Sequence, residues 1–444
     1  MLVGLGVRIG YVYGYRRRVA ITGDAFYFHY QANLLASGQG FLDPYSLLWR
    51  FQILPGANHP PLWTLVLATA AAVGVTSFFG QLLWSSAVGA LSVAALGLAG
   101  RAVGGERVGL LAAGVGALYP VFVVNDGSLL AETLVVPLVA LSIWAFYRLW
   151  RRPSIPRAAV LGALCALAAL TRSELVLLVV LLAVPAGLWC RSVAVRRRLG
   201  LCAAALGASL CVFAPWWAYT VPRFSHHVIL SDQLGVTLAS ANCGLTYGGP
   251  LVGYWSDSCE TVVRSRPSPD PTVRDRALEH EALTYMSHHA GRVPVVVAAR
   301  LGRAFGVFRP GQQIDLEWSV LGRPRLPAGL GLGVYYVLGA LALPGVVIVR
   351  RRGLPVVPFV CIAAEVVLVT AAIFGQTRYR TPLDVALVIL AAVTVDQVWA
   401  GRGAHVRGGA HRDGAQDPPQ ADGEGQDEDR RHGGRAPVPA GARR

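Results

Sequence analysis

Gly23-Asp24-Ala25-Phe26-Tyr27-Phe28-His29-Tyr30, closed downstream by Asn58-His59-Pro60-Pro61, is a polar block set among long apolar runs. A carboxylate and a histidine at the edge of hydrocarbon are costly unless something uses them. The block therefore points to a membrane protein with chemistry at the membrane's rim. Working outward from it, apolar windows fall at 1–15, 62–79, 82–100, 108–124, 129–147, 158–171, 174–190, 199–221, 329–349, 354–374 and 382–400. Most are long enough to cross ~30 Å of hydrocarbon as a helix; the window 158–171 is marginal.

Composition agrees. The chain is 54% hydrophobic and 15% charged, with a mean hydropathy of +0.48, whereas soluble domains carry ~25% charged residues. The expected fold is an all-α polytopic membrane protein of about 10 transmembrane helices plus juxtamembrane helices, with one external loop region of about 100 residues, 222–328. All 40 basic residues are arginine, and most of the net charge of +15 lies in short clusters between apolar runs. Such clusters read as topology signals, which excludes a nucleic-acid-binding face. The first window lacks a basic n-region and a clear cleavage site, so it is no signal peptide. It reads as part of a first transmembrane helix whose start lies upstream.

The arginines set the orientation. Arg101 with Arg107, then Arg148, Arg151, Arg152 and Arg157, then Arg191 and Arg196 to Arg198, and finally Arg350 to Arg352 mark cytoplasmic loops. The loops 125–128, 172–173, 222–328 and 375–381 then face outward. Hydropathy leaves the window 62–79 open: a crossing puts Asp24 in the cytoplasm, a segment lying in the outer leaflet puts it outside. The organisation is an N-terminal transmembrane module 1–221 with a first external loop 16–81, the external region 222–328, C-terminal helices 329–400 and a tail 401–444. The tail is too poor in large apolar residues to fold, and is expected to be disordered. Within 222–328, residues 273–289 have a polar helical pattern, and Val295 to Phe308, with Arg300 and Arg303, suits a helix on the membrane surface.

Asp24 is either the N-cap of a helix from Ala25 to Ala36 or a general base, and the two are compatible. His59 is a loop histidine or a phosphate donor. Asp126 in Asn125-Asp126-Gly127 reads first as a turn residue, while Glu132 opens an apolar helix close enough to share a cavity with Asp24. Arg172 and Glu174 sit at the apex of a tight hairpin, and their bland reading is a local ion pair. In Arg378-Tyr379-Arg380 two arginines occupy a short external loop against the positive-inside tendency, and forked guanidinium donors suit a phosphate. Cys243 and Cys259 read as a disulfide, whereas Cys165, Cys190, Cys202, Cys211 and Cys361 read as small apolar residues. His226, His227, His280, His288 and His289 read as loop surface.

Taken in order, Gly23-Asp24 with its aromatic helix ending Ala36-Ser37-Gly38-Gln39-Gly40-Phe41, His59-Pro60-Pro61-Leu62, Glu132, Thr171-Arg172-Ser173-Glu174 and Arg378-Tyr379-Arg380 resemble bacterial members of the GT-C superfamily. The pattern is similar to that of the protein O-mannosyltransferases and the aminoarabinose transferase of lipid A. The resemblance covers residues 8–400, although each motif alone is weak. It implies an enzyme of the cell membrane that transfers a sugar from a polyprenyl-phosphate donor to an envelope acceptor (protein, lipid or polysaccharide), outside the cytoplasm and with inversion. It implies Asp24 and Glu132 as catalytic acids, His59, Arg172, Arg378 and Arg380 at the donor phosphate, and the segment after Pro60-Pro61 as a juxtamembrane helix. Tyr27, Tyr30, Tyr247, Trp255 and Tyr379 are candidate donor or acceptor contacts, Trp255 and Tyr247 lying in a stretch without counterpart in those relatives. No cofactor is certain; a divalent cation, Mg²⁺ or Mn²⁺, requires Asp24 and Glu132 to converge. The rival readings are an envelope polysaccharide polymerase or ligase, and a lipid-linked sugar transporter or flippase.

Overall fold

Glu132–Arg151 shows how this chain builds a membrane helix: an acid at its first residue, basic Arg148 and Arg151 in its last turn and an apolar interior between them. The computed structural model describes residues 1–17, 19–260, 268 and 270–410, without side chains for 401–410. Among the described residues, five helices are long and apolar enough to cross a membrane: Phe78–Gly104, Glu132–Arg151, Val195–Thr220, Arg325–Arg351 and the stretch Thr377–Ala400. The pair Glu106–Leu118 and Pro120–Asp126, bent by 56°, has the length and apolar composition of a span when its two helices are taken together. Pro120 explains the bend, since it offers no N–H and pushes Tyr119 into extended backbone (φ −62°, ψ 116°).

Four shorter apolar helices, Pro61–Ala72, Ile155–Ala169, Ser173–Trp189 and Val357–Ala372, form over other apolar windows of the sequence. Ser173–Trp189 is irregular, passing from a 3₁₀ turn through α and π turns to a second 3₁₀ segment that Pro185 opens. Pro61–Ala72 is only 12 residues long, too short to cross ~30 Å at 1.5 Å per residue. Helices approach closely where small residues allow: a side chain at Gly162 would collide with the Ala205 carbonyl, and Ser209 Oγ donates to the Gly162 carbonyl across that contact (3.0 Å).

Residues 222–328 contain the helices Leu234–Ala241, Pro271–His288, Val293–Ala304 and Pro310–Leu321. They belong to one compact unit with the membrane helices, Met1–Val398. The expected surface helix forms at Val293–Ala304, but Arg300 and Arg303 are buried rather than spread at an interface. Arg300 Nη2 donates to the Ala241 carbonyl (2.9 Å), and Arg303 Nε to that of Val252 (2.7 Å). Gly253 is required beside them, since its φ is +75° and a Cβ there would press on the Arg300 backbone nitrogen.

The final helix, Thr381–Ala410, runs ten residues past the expected boundary at 400. The rest of the expected disordered tail, 411–444, lies outside the described residues.

Candidate active site

Asp24 lies in the first turn of the helix Gly23–Ala36. Thr22 is the N-cap and makes no side-chain capping bond, so the expected capping role of Asp24 does not hold. The first loop's side-chain cap is Asp43, which accepts from the Tyr45 and Ser46 backbone N–H groups. The Asp24 carboxylate instead faces a residue 354 positions away: Arg378 Nη2 donates to its Oδ2 at 2.7 Å. His59 Nε2 is 3.6 Å from the other oxygen, Oδ1.

Glu132 completes the centre. Its side chain is fully buried, and Oε1 accepts from both Arg378 Nε (2.6 Å) and Arg172 Nη1. Its second oxygen, Oε2, is buried without a partner. Arg172 also donates to Glu174, and its guanidinium lies 4.8 Å from the centre of the Tyr379 ring. The backbone brings these pieces together: Leu62 N–H donates to the Leu170 carbonyl (2.9 Å), tying the His59-Pro60-Pro61 segment to the Arg172 turn.

These contacts fix the charge states. Burial opposes ionisation of Asp24, but Arg378, His59 and Arg172 outweigh it and hold the carboxyl well below its usual range. Burial lowers the pKa of His59, an effect that the Asp24 charge only partly offsets and that Arg378 and Arg172 reinforce. His59 is therefore neutral near neutral pH, an acceptor or donor rather than a cation. Burial lowers the pKa of Arg172, but Glu132 and Glu174 outweigh it and raise the value, so the guanidinium stays cationic.

Arg380, expected beside Arg378, is in a different environment. It is buried against the Tyr335 ring (3.7 Å), donates to the Ala304 carbonyl (3.2 Å) and pairs with Asp384 (3.6 Å). Tyr27 is fully buried, its hydroxyl accepting from Gln31 Nε2 (2.6 Å), and its ring packs edge-on against His59 (4.9 Å). Tyr30 packs on Phe26 (4.5 Å). Tyr247 is buried, donating to Asn242 Oδ1 (2.8 Å) and packing on Tyr285.

Cys243 and Cys259 are bonded to each other, and the loop they close reaches the centre through rings. Trp255 meets Phe374 (6.1 Å between centroids), which meets Tyr379 (5.1 Å), the ring beneath Arg172. Gly375 N–H donates to the Gly253 carbonyl (2.8 Å) beside that row.

A supporting network escaped sequence reasoning. Thr377 donates to Glu317, which pairs with Arg323 (3.4 Å). Arg323 Nη2 donates to Asn125 Oδ1 (2.6 Å), Asn125 Nδ2 reaches Thr381 Oγ1 (3.4 Å), and Thr381 donates to the Arg378 carbonyl (2.8 Å). These bonds set the backbone on which Arg378 is mounted. The adjoining cavity, lined by Gln313, Glu317, Arg323, Thr377 and Arg380, holds about 40 Å³, room for water but not for a sugar. Asp126, expected as a turn residue, is buried at a helix end and paired with Arg8 (2.6 Å). The signal that was available for Arg8 and Asp126 was a charge within an apolar run; Glu317 and Arg323 carried none.

As arranged, the residues do not form a divalent-cation site. Arg378 lies between Asp24 and Glu132, and among the described residues no three His, Cys, Asp or Glu side chains are grouped to hold a metal.

Residues 58–219 match the family model of dolichyl-phosphate-mannose-protein mannosyltransferases. In fold the chain is similar to the oligosaccharyltransferase of Archaeoglobus fulgidus. The apo form has a TM-score of 0.50 at 14% identity, over 94% of this chain and 52% of that one. The form tethered to an acceptor peptide has a TM-score of 0.52 at 13% identity, over 90% and 49%. ArnT from Cupriavidus metallidurans bound to undecaprenyl phosphate has a TM-score of 0.40 at 12% identity, over 90% and 78%. The chain thus spans about half the length of the oligosaccharyltransferase. No curated protein matches the sequence. The protein is a multi-pass helical membrane protein that shares its fold with the oligosaccharyltransferase. Its segment 58–219 is mannosyltransferase-like.

Proposed function

We propose that the protein transfers a sugar from a polyprenyl-phosphate donor to a hydroxyl-bearing envelope acceptor on the extracytoplasmic side of the plasma membrane, with inversion at the anomeric carbon. One observation carries the reading: Arg378 joins Asp24 to Glu132, so that a partly exposed acid and two arginines from distant parts of the chain meet at one point. The mannosyltransferase family match over 58–219 supports a donor of this class. The orientation is supported by Glu132–Arg151, whose acidic first residue lies in the site and whose arginines lie at the opposite end.

In this reaction the acceptor oxygen attacks the anomeric carbon while its proton passes to Asp24. The bond from that carbon to the phosphate oxygen breaks, and its electron pair stays on the phosphate. Arg378 and Arg172, pre-oriented by Glu132, stabilise that charge. Neutral His59 lies 3.6 Å from the free oxygen of Asp24 and flanks it. Tyr379 and Trp255 wall the acceptor side, while Tyr27 and Tyr247 act through packing and Arg380 anchors the turn that bears Arg378.

Asp24→Asn tests the reading. With labelled polyprenyl-phosphate sugars and the protein in sealed vesicles, transfer is expected to fall about 10³-fold, within the range for loss of a general base. Transfer equal to wild type overturns the assignment of Asp24. Release of a diphosphate carrier in place of a monophosphate overturns the donor class.

A further inference from the structure

Asp232 is a second anomalous acid, outside the centre described above. It is 6% exposed, and neither carboxylate oxygen has a hydrogen-bond partner. A buried carboxylate without donors is unfavourable as an anion, and its surroundings add repulsion. The acids facing it are Asp43 from the first loop and Asp270 and Asp275 at the helix Pro271–His288, while the phenol of Tyr27 faces it from the helix Gly23–Ala36.

The backbone around Asp232 is tied to the site on several sides. Its own N–H donates to the Ala57 carbonyl (2.9 Å), two residues before His59. Ser231 Oγ is bonded to Ser173 Oγ (2.9 Å), next to Arg172. Upstream, the carbonyls of Leu230, Ile229 and Val228 accept from Trp216 (3.0 Å), Trp217 (2.8 Å) and Thr220 (3.3 Å), at the end of the helix Val195–Thr220. Residues 228–232 are thus a strap fixing the His59 segment and the Arg172 turn to one membrane helix.

We propose that Asp232 is a positioning residue for the transfer site: as a neutral acid it lets the strap hold His59 and Arg172 in register, and its ionisation, repelled by Asp43, Asp270 and Asp275, loosens the strap. This rests on the transfer reading above. Burial first, then Asp275, Asp43 and Asp270, pushes the Asp232 carboxyl up to about 8, so the device works near physiological pH. The folded protein holds a proton on Asp232 that the unfolded chain has already lost above its ordinary value of 3.8. Its contribution to stability is therefore complete below that value, is lost as pH rises to about 8, and changes no further above it.

The experiment compares wild type and Asp232→Asn, both full-length in vesicles, from pH 6 to 9. It reads thermal unfolding together with kcat and KM for transfer. Wild type is expected to lose about tenfold in kcat/KM between pH 7 and 9, the neutral fraction left one unit above such a midpoint, and to melt lower as pH rises to 8. Asp232→Asn is expected to match wild type at pH 7 and to lack both trends. If the amide variant does not accumulate, Asp232→Ser replaces it with the same expectation. Identical alkaline limbs and melting trends in wild type and variant overturn the proposal. Absence of transfer by wild type at every pH overturns the glycosyltransferase reading instead, and the melting comparison still decides the state of Asp232.

Discussion

Two arginine–carboxylate contacts in this molecule resemble each other on paper and differ in every detail that matters. In the Arg8–Asp126 pair both side chains are sealed, at 0% and 2% exposure. Arg8 spends its remaining N–H groups on the carbonyls of Gly4, Gly116 and Ala117 and on Ser92 Oγ. At the Asp24 centre the acid is 26% exposed, Arg378 donates to the carboxylates of Glu132 and Asp24, and a Glu132 oxygen is left unpaired. A saturated guanidinium fastens helices together. One that bonds only carboxylates, beside an accessible acid, is available to an incoming anion.

The comparison breaks or sharpens on four measurements. Arg378→Ala should lower kcat by about 10³-fold, the upper end for loss of one preorganised donor, with little change in melting temperature; a large melting shift with normal kcat would make Arg378 a fastener like Arg8. Asp126→Ala leaves Arg8 buried and unpaired, and should cost about 3 kcal/mol of stability while the folded fraction keeps its specific activity. His59 gives a pH signature. Because its folded pKa is lowered, the folded state binds fewer protons than the unfolded chain just below the ordinary value of 6.5. Stability and transfer should thus both decline as pH falls below that value, and His59→Gln should flatten this acid limb. Trp255→Ala should have the smallest effect, about a fivefold rise in acceptor KM from a lost ring contact, with donor KM unchanged.

Much of this was legible in the sequence because membrane chains advertise their exceptions. Asp24, Glu132, Arg172 and Arg378 each interrupt or border apolar runs, where a charge is expensive, and they proved to be the four that meet. Arg380 shares the same tripeptide and faces elsewhere, because residues two apart on a tight turn project in different directions. Glu317, Arg323 and Asp232 lie in the polar region 222–328, where acids and arginines are ordinary and nothing local marks those that reach back to the membrane helices. Hydropathy registers an apolar stretch, but not the prolines and π turns that interrupt the helix formed there.

The 354-residue separation between Asp24 and Arg378 has a consequence for biogenesis. Asp24 is synthesised 354 residues before Arg378, so the nascent chain carries that acid without this counter-ion while the intervening helices insert. The contact between Asp24 and Arg378 cannot form until the turn before the helix Thr381–Ala410 has been made, so this centre assembles only after the helices between them.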